Sequence, residues 1–412
     1  MNKLFAYLLG FLGLTVVALV ISAIVLSRLS LAEADRKTYV PPIDESVPKA
    51  YNGEGQVIIV GAGASGLFAG YTLEYLGVPF TILEASPTFG GRVQRMEDFV
   101  DVPIDIGAEW IHTNPQILQD LLLIETDQES VKSNIETIGF QPQSFSLWAH
   151  GRRVQRNWMR FFYKEYKFKS TTWSQWLENY IVPYVQDHIV YNAVVQHVDY
   201  SETGDVSVTT ADGVTYTGSK VIMAVPLKVL QDHDIQFSPA LPADKTKALE
   251  EVYWAPGFKV FIEFQERFYT DMTMDITLTQ FLQTENDYRI FFNGVFGKDQ
   301  TSRNLMTLFC VGEPAREWSR LSDKELFETV LARLDQLYDG EASKQYIQHR
   351  IQNWSNQPFI RGAYAFSADS ATIERPVGDK LFFATDTEIM VHSAALSGRR
   401  AAVEAVSNPI SS

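Results

Sequence analysis

Residues 57–85 read VIIVGAGASGLFAGYTLEYLGVPFTILEA and decide the fold, because they predict a parallel β–α–β unit. Val57–Val60 and Pro79–Leu83 are short apolar runs rich in β-branched residues, which is typical of buried strands. The segment between them has a helical pattern and follows a glycine-rich turn. Two parallel strands joined by a helix indicate a doubly wound α/β sheet.

The turn of this unit predicts a dinucleotide site. Its three glycines have the G-x-G-x-x-G spacing, which serves a tight turn, the approach of backbone to a pyrophosphate, and helix packing; they are Gly61, Gly63 and Gly66. Ala64 and Ser65 begin the helix, whose amides would face the phosphates. Glu84 ends the second strand, where a carboxylate can bind ribose hydroxyls and would repel the 2′-phosphate of NADP. The alternative is a unit whose glycines serve packing only.

The composition excludes several classes of protein. The 412 residues are 46% hydrophobic, which is enough for more than one domain. A formal net charge of −15 argues against nucleic-acid binding, because the phosphates would be repelled. Cys310 is the single cysteine, so an internal disulfide framework is excluded, and the seven histidines have no metal-site spacing.

The N-terminal region predicts a membrane anchor. Residues 4–27 are uncharged and mostly apolar, and a segment of this length can span a bilayer as a helix. The alternative is a cleaved signal peptide, with Ala32-Glu33-Ala34 as the cleavage site. The basic residues on both sides weakly favour a cytoplasmic catalytic body, and the proline-containing residues 28–55 are expected to be a linker.

The rest of the chain predicts an interleaved architecture. Strand patterns occur around 194–225 with a hairpin turn at Asp212-Gly213, and residues 116–190 have a helical, aromatic character. The expected fold is α/β, with a Rossmann-like dinucleotide domain interleaved with a smaller α+β substrate domain built on a mixed sheet. The expected pieces are 56–115, 190–235 and 366–412 for the first domain and 116–189 and 236–365 for the second.

Several sequence blocks follow one another in order between Val57 and Ala402. The blocks are GAGASG (61–66), GGRV (90–93), DIGAEWIH (105–112), V-x-x-V-x-Y (195–200), KVIMAVPLKVL (220–230), SPALP (238–242), GFKVFIEF (257–264), NWSNQPFIRGAY (353–364), LFFATDTE (381–388) and VHSAALSGRRAA (391–402). In this order they resemble the flavin-containing amine oxidase superfamily, which includes monoamine oxidases, polyamine oxidases and flavin histone demethylases.

The resemblance implies non-covalent FAD. It places Glu84 and Arg92, with Gly91 beside it, at the ribose and phosphates, and Val195 at the adenine. It places Gly107, Ala108, Glu109 and Trp110 against the flavin, with Asp386 and Val391 of the C-terminal motif also at the cofactor. The FATDTE sequence departs from the FAGEAT-like sequences of the family, because Thr385 replaces a glycine and Asp386 a glutamate. Ala363 stands where monoamine oxidases have the cysteine that attaches the flavin.

The same resemblance supplies candidate catalytic residues. Lys259 matches the family lysine that holds a water at flavin N5, and its apolar strand agrees with a functional buried cation; the alternative is a lysine at a strand edge. Tyr364 matches one side of the aromatic cage, with Trp354 nearby, whereas Ala395 stands where many polyamine oxidases have the second aromatic. His112 matches a histidine of the substrate channel. Trp110 stands where amino acid oxidases have a carboxylate-binding arginine, which disfavours α-amino acids.

A basic, aromatic stretch at residues 151–169, GRRVQRNWMRFFYKEYKFK, permits two interpretations. One is an amphipathic surface segment, and the other is docking to membrane lipids through cations and interfacial aromatics.

These observations predict an FAD-dependent amine oxidase that is reoxidised by molecular oxygen, forms hydrogen peroxide and acts on a small amine or an amphiphile. Two alternatives are a membrane-associated flavin dehydrogenase or desaturase with a non-oxygen acceptor, and a catalytically impaired scaffold that kept the fold.

Overall fold

The computed structural model describes residues 35–43, 55–149, 151–201, 204–275, 287–366, 369–385 and 389–407. Within these ranges the strands are, in chain order, β1 Val57–Val60, β2 Phe80–Leu83, β3 Arg95–Met96, β4 Ile104–Asp105, β5 Thr137–Phe140, β6 Phe145–Ala149, β7 Arg152–Gln155, β8 Glu165–Phe168, β9 Ile189–Val190, β10 Val195–Asp199, β11 Val206–Thr210, β12 Thr215–Gly218, β13 Lys220–Met223, β14 Gln236–Ser238, β15 Tyr253–Ala255, β16 Gly257–Phe264, β17 Met272–Met274, β18 Tyr288–Asn293, β19 Asn304–Val311, β20 Tyr346–Asn353, β21 Tyr364–Phe366 and β22 Leu381–Phe383.

The described helices are, in chain order, α1 Ala64–Tyr75, α2 Ile117–Asp120, α3 Glu125–Asn134, α4 Trp173–Tyr180, α5 Val182–Val185, α6 Leu227–Gln231, α7 Ala243–Glu250, α8 Glu313–Arg316, α9 Asp323–Leu337, α10 Glu341–Gln345, α11 Ser370–Glu374 and α12 Val391–Ser407. Short 3-10 helices occur at Asn157–Phe162, Gln186–His188, Trp318–Arg320 and Trp354–Asn356.

The first sheet is parallel and has the order β22-β13-β1-β2-β9. Every residue of β1 is buried, because alternate side chains enter two different cores. Val57 and Ile59 pack on the side of α1 and α12, whereas Ile58 and Val60 pack on the side of the four-stranded sheet β12-β11-β10-β14. The β–α–β unit predicted at residues 57–85 is therefore confirmed.

Glycines allow the close contact between α1, its preceding turn and α12. Gly61 has a φ of +105°, which other residues rarely adopt. A Cβ at Gly66 would lie 1.9 Å from the carbonyl oxygen of Gly61, and a Cβ at Gly398 would lie 2.0 Å from the carbonyl oxygen of Ser65. A side chain at Gly66 would force α1 away from the turn, and a side chain at Gly398 would force α12 away from α1.

The second large sheet is mixed and has the order β20-β16-β19-β18-β17-β6-β7. Its neighbours are antiparallel except for the parallel pair β6 and β17. The strand β16 lies between β19 and β20, and all eight of its residues are buried. The amphipathic helix α9, which begins with a capping box at Ser322 and Glu325, covers this sheet with its apolar face.

The prediction of a helical character for residues 116–190 is wrong in part. The region contains helices, but it also contains the strands β5, β6, β7 and β8. The hairpin β6–β7 joins the second large sheet, and helices α2 to α5 pack into the core beside α1. Aromatic residues, which are frequent here, favour strands as well as buried helices, so composition could not separate the two.

The predicted anchor at residues 4–27 lies outside the described residues and stays a prediction. In the ranges given above, no helix is both long and apolar enough to cross a bilayer. Part of the predicted linker, residues 35–43, lies against the globular body. The Asp35 carboxylate pairs with Lys164 at 2.6 Å, and Val40 and Ile43 pack against the core beside α1.

Candidate active site

A cavity of about 390 Å³ lies where the carboxyl ends of the first sheet meet the face of β16 and β19. The structure places most of the predicted site residues along its wall, namely Gly61, Gly63, Ala64, Ser65, Glu84, Gly91, Arg92, Gly107, Ala108, Glu109, Trp110, His112, Val195, Lys259, Trp354, Tyr364 and Val391. Gly66 is outside the wall and serves the packing of α1 on the turn. Asp386 lies outside the described residues.

One end of the cavity is formed by the β1–α1 turn. Gly63 is the N-cap of α1, which has no side-chain cap and no acidic residue in its first turn. A Cβ at Gly63 would meet nothing within 4 Å, so the amides at the start of the helix face open space. The Glu84 carboxylate accepts hydrogen bonds from the amides of Ala62 at 2.6 Å and Ser86 at 2.8 Å. This end therefore offers helix amides and a fixed carboxylate.

The loop after β2 lies beside this turn. Gly90 bridges to Gly63, and the Arg92 guanidinium donates to the carbonyl oxygen of Ala363 at 2.6 Å. A Cβ at Gly107 would lie 1.7 Å from the carbonyl oxygen of Arg92 and 3.1 Å from the Trp354 ring. Position 107 therefore accepts no side chain, because the Arg92 backbone and the Trp354 ring pack directly against it.

A buried cluster of charges forms the middle of the wall. Lys259 Nζ donates to the carbonyl oxygen of Gly107 at 2.8 Å and to Glu109 Oε2 at 2.9 Å. Lys167 Nζ lies 2.6 Å from the other carboxylate oxygen, Glu109 Oε1. Burial alone would raise the pKa of Glu109, but the ammonium groups of Lys167 and Lys259 lower it to about 2. Because β16 has a neighbour on both sides, the alternative of a strand-edge Lys259 is wrong.

A second buried pair adjoins this cluster. Burial raises the pKa of Asp105 to about 8, with a further contribution from the nearby charge of Glu109, while Lys298 and Lys259 oppose the shift. Burial lowers the pKa of Lys298. Asp105 Oδ1 accepts a hydrogen bond from the Trp173 amide at 3.1 Å.

The raised pKa of Asp105 predicts a pH-dependent stability. The folded protein holds the Asp105 proton up to about pH 8, whereas the unfolded chain releases it near pH 4, so this group lowers the free energy of unfolding as the pH rises between those values. Asp105→Asn removes this dependence, and we expect the stability of the variant relative to wild type to increase from pH 5 to pH 8. Urea unfolding of the cofactor-free protein at both pH values measures it. Asp98→Asn, at an exposed position, is the control, and an unchanged difference for Asp105→Asn contradicts the prediction.

His112 lines another part of the wall together with several aromatic side chains, and this part is called the aromatic end below. Its Nδ1 is 3.1 Å from Glu165 Oε1, which fixes the orientation of the ring. Burial lowers the pKa of the neighbouring His392 to about 4, with a smaller contribution from His112. His392 therefore adds no positive charge near neutral pH. His112 is the histidine that pairs with the Glu165 carboxylate.

Aromatic side chains complete this end. Tyr364 packs edge-to-face on Phe309, with ring centroids 6.2 Å apart, and both line the cavity with Trp354. Ala394 lines the wall of α12, whereas Ala395 is fully buried in the core beside α1. The interpretation of Ala395 as the missing half of an aromatic cage is therefore wrong in position, and a small residue, Ala394, faces the cavity instead.

Two family models match this chain. Residues 59–122 match an NAD(P)-binding Rossmann-like domain. Residues 177–406, more than half of the chain, match the family described as flavin containing amine oxidoreductase. The chain belongs to this flavin-containing amine oxidoreductase family. FAD is the cofactor of this family, whose members are FAD-dependent oxidoreductases. The open helix N-terminus and the fixed Glu84 carboxylate fit such a dinucleotide.

Curated relatives of this flavin amine oxidoreductase include two kinds of enzyme. Lysine-specific histone demethylase 2 of Homo sapiens is 24% identical over 404 residues, which cover 78% of this chain and 48% of the relative. Polyamine oxidase 4 of Oryza sativa subsp. japonica is 24% identical over 430 residues, covering 83% of this chain and 85% of the relative. The chain thus spans about half the length of the histone demethylases it matches.

Solved structures of amine oxidases share the fold. Cyclohexylamine oxidase from Brevibacterium oxydans IH-35A superposes with a TM-score of 0.70 at 15% identity, covering 86% of this chain and 99% of that one. Wild-type putrescine oxidase bound to putrescine gives a TM-score of 0.67 at 17% identity, covering 84% and 98%.

Sequence reasoning missed several residues of this site. Lys167 and Glu165 are two residues apart on β8, so they share a face of that strand, and their partners are Glu109 and His112. The polar–apolar alternation of EYKF is a weak strand signal, but it does not identify a partner. The interpretation of residues 151–169 as an amphipathic surface segment is wrong for Lys167, which is buried. The three lysines of the stretch form ion pairs with carboxylates; they are Lys164, Lys167 and Lys169.

Proposed function

We propose that the protein is an FAD-dependent oxidase that removes a hydride from the α-carbon of an amine and passes the electrons to molecular oxygen, forming hydrogen peroxide. The single observation that carries this proposal is a buried lysine, Lys259, in the wall of a cavity that also contains a dinucleotide turn and an aromatic end.

In this proposal the glycine-turn end of the cavity holds the FAD. The amides of Gly63, Ala64 and Ser65 bind the pyrophosphate, and Glu84 binds the ribose. Arg92 adds a cation near the phosphates, and the backbone of Val195 contacts the adenine. The wall at Gly107 to Trp110 adjoins the flavin ring. All of these residues line the same cavity, which supports the proposal.

The bound flavin supplies the hydride acceptor, and the protein supplies orientation, dryness and charge. The rings of Tyr364, Phe309 and Trp354 would exclude water and align the substrate nitrogen through their faces. An amine must lose its ammonium proton before it can give up a hydride. In this proposal His112, whose ring is oriented by Glu165, takes that proton. Lys259 is the cation that would promote the reaction with oxygen.

The lining of the aromatic end favours an amine with a branched or bulky substituent. Ala394 lines the same cavity as Tyr364 and occupies little volume, which leaves room for a larger substituent. Trp110 rather than an arginine follows Glu109, and a substrate carboxylate would have no matching guanidinium at this position. We therefore propose a small-molecule or amphiphilic amine rather than an α-amino acid.

The test is an anaerobic screen of the purified protein. We expect a yellow protein whose visible absorption is bleached by a primary, secondary or tertiary amine and returns on exposure to oxygen, with one hydrogen peroxide formed per amine oxidised. The matched control for a primary or secondary amine is its N-acetyl derivative, because the lone pair of an amide nitrogen is not basic. Bleaching without peroxide would favour a dehydrogenase with another acceptor, and a protein that cannot be reconstituted with FAD would refute the proposal.

A further inference from the structure

The cavity wall contains two buried lysines that share one carboxylate. Glu109 presents Oε2 to Lys259 at 2.9 Å and Oε1 to Lys167 at 2.6 Å. The three side chains are between 2% and 6% exposed, so solvent screens these charges little. With all three groups ionised, the cluster carries a net charge of +1.

The order of the charges matters more than their number. A carboxylate beside Lys259 alone would form a neutral pair, and the positive potential of Lys259 at the cavity would be largely cancelled. Lys167 neutralises that carboxylate from the opposite side. The low pKa of Glu109 supports this arrangement, because the carboxylate stays ionised over the whole physiological range.

Lys167 does not itself line the cavity. It lies on β8 behind Trp110, with its ammonium 4.9 Å from the Trp110 ring centroid, 5.3 Å from that of Phe292 and 5.8 Å from that of Phe140. Aromatic faces stabilise a cation and exclude water from it. Lys167 therefore makes no direct contact with a molecule in the cavity, and Glu109 links it to Lys259.

We propose that Lys167 is a charge-compensating residue, which neutralises Glu109 so that Lys259 presents an undiminished positive charge to the bound FAD. This inference rests on the proposed function. A flavin takes up two electrons and one proton on reduction at neutral pH and so gains one negative charge. A net positive wall favours that reduced form, whereas a neutral wall does not.

The test compares two variants that differ in charge balance. Lys167→Met leaves the neutral pair of Glu109 and Lys259, and we expect the equilibrium constant for reduction of the bound FAD by a reference dye to fall about tenfold. The double variant Glu109→Gln/Lys167→Met removes one charge of each sign, restores the net charge of +1 and should return the constant toward wild type. Lys169→Met, which removes a more exposed lysine just beyond β8, is the matched control and should leave the constant unchanged.

A purely structural role for Lys167 gives a different pattern, because the double variant would then be as impaired as the single one or more so. That result, or an unchanged equilibrium constant in Lys167→Met, overturns the inference. The proposed function is not affected by it as long as the wild-type protein binds FAD and oxidises an amine. A wild-type protein that does not bind FAD ends both.

The cofactor-free protein gives a second readout. Glu109, whose pKa is lowered in the folded state, contributes stability above the pKa of the unfolded chain, and this stability is lost as the pH falls toward 2. Lys167→Met removes one of the two cations that lower this pKa. We expect its stability relative to wild type to be lower at pH 7 than at pH 3, and an equal difference at the two pH values contradicts the inference.

Discussion

Gly63→Asp should give a protein that folds as the wild type does but binds FAD at least about a hundredfold more weakly. The backbone at Gly63 is extended, with a φ of −70°, and a Cβ there would meet nothing within 4 Å, so the fold tolerates a side chain. Asp is also a favourable N-cap for α1. Its carboxylate would occupy the space before the helix amides and repel the pyrophosphate, and such like-charge contacts cost several kcal/mol.

Fluorescence titration of the cofactor-free variant with FAD measures the affinity, and urea unfolding measures the fold. Gly63→Asn is the matched control, because it has nearly the same volume without the charge, and it should bind FAD more tightly than Gly63→Asp. Gly66→Ala, in contrast to Gly63→Asp, should lower the stability of the fold, since its Cβ would lie 1.9 Å from the Gly61 oxygen. Wild-type affinity in Gly63→Asp would show that the pyrophosphate binds elsewhere.

Lys259→Met should retain FAD but slow its reoxidation by oxygen about a hundredfold, which is the usual cost of removing one preorganised charged or hydrogen-bonding group from an active site. The substitution is similar in volume, and Glu109 keeps Lys167 as its counter-ion, so the buried carboxylate does not become unpaired. Stopped-flow mixing of the reduced protein with oxygen measures the rate. Lys259→Arg, which preserves the charge, should fall between the two. Reoxidation of Lys259→Met at the wild-type rate would remove Lys259 from the oxygen reaction.

The features predictable from the sequence are those whose signal lies within a short segment. The turn from Gly61 to Gly66 and the terminal Glu84 form one local unit, and both the strand order and the cavity agree with it. Lys259 was identified through the family resemblance, and its place as the single cation in a mostly apolar strand of eight residues supports that assignment. In both cases the supporting pattern lies within one short segment.

The remaining features depend on contacts between distant segments. Lys167 belongs to a stretch with seven basic residues, and its partner Glu109 is in a different block of the chain, so its burial has no local signal. Which of Ala394 and Ala395 faces the cavity is decided by the rotation of α12. The close contact of Gly398 with Ser65 of α1 sets that rotation. Neither fact is contained in the helical period alone.

The order of the first sheet has a consequence for how the protein acquires its cofactor. Its strands β1 and β2 precede β13 by more than a hundred residues, and β22 and α12 are translated later still. Because synthesis proceeds from the N-terminus, the outer edge of β13 stays unpaired until β22 emerges, and the α12-facing side of the glycine turn stays uncovered until α12 emerges. We expect firm capture of the dinucleotide to wait for both segments, and until then the open edge of β13 is a site for unwanted strand pairing.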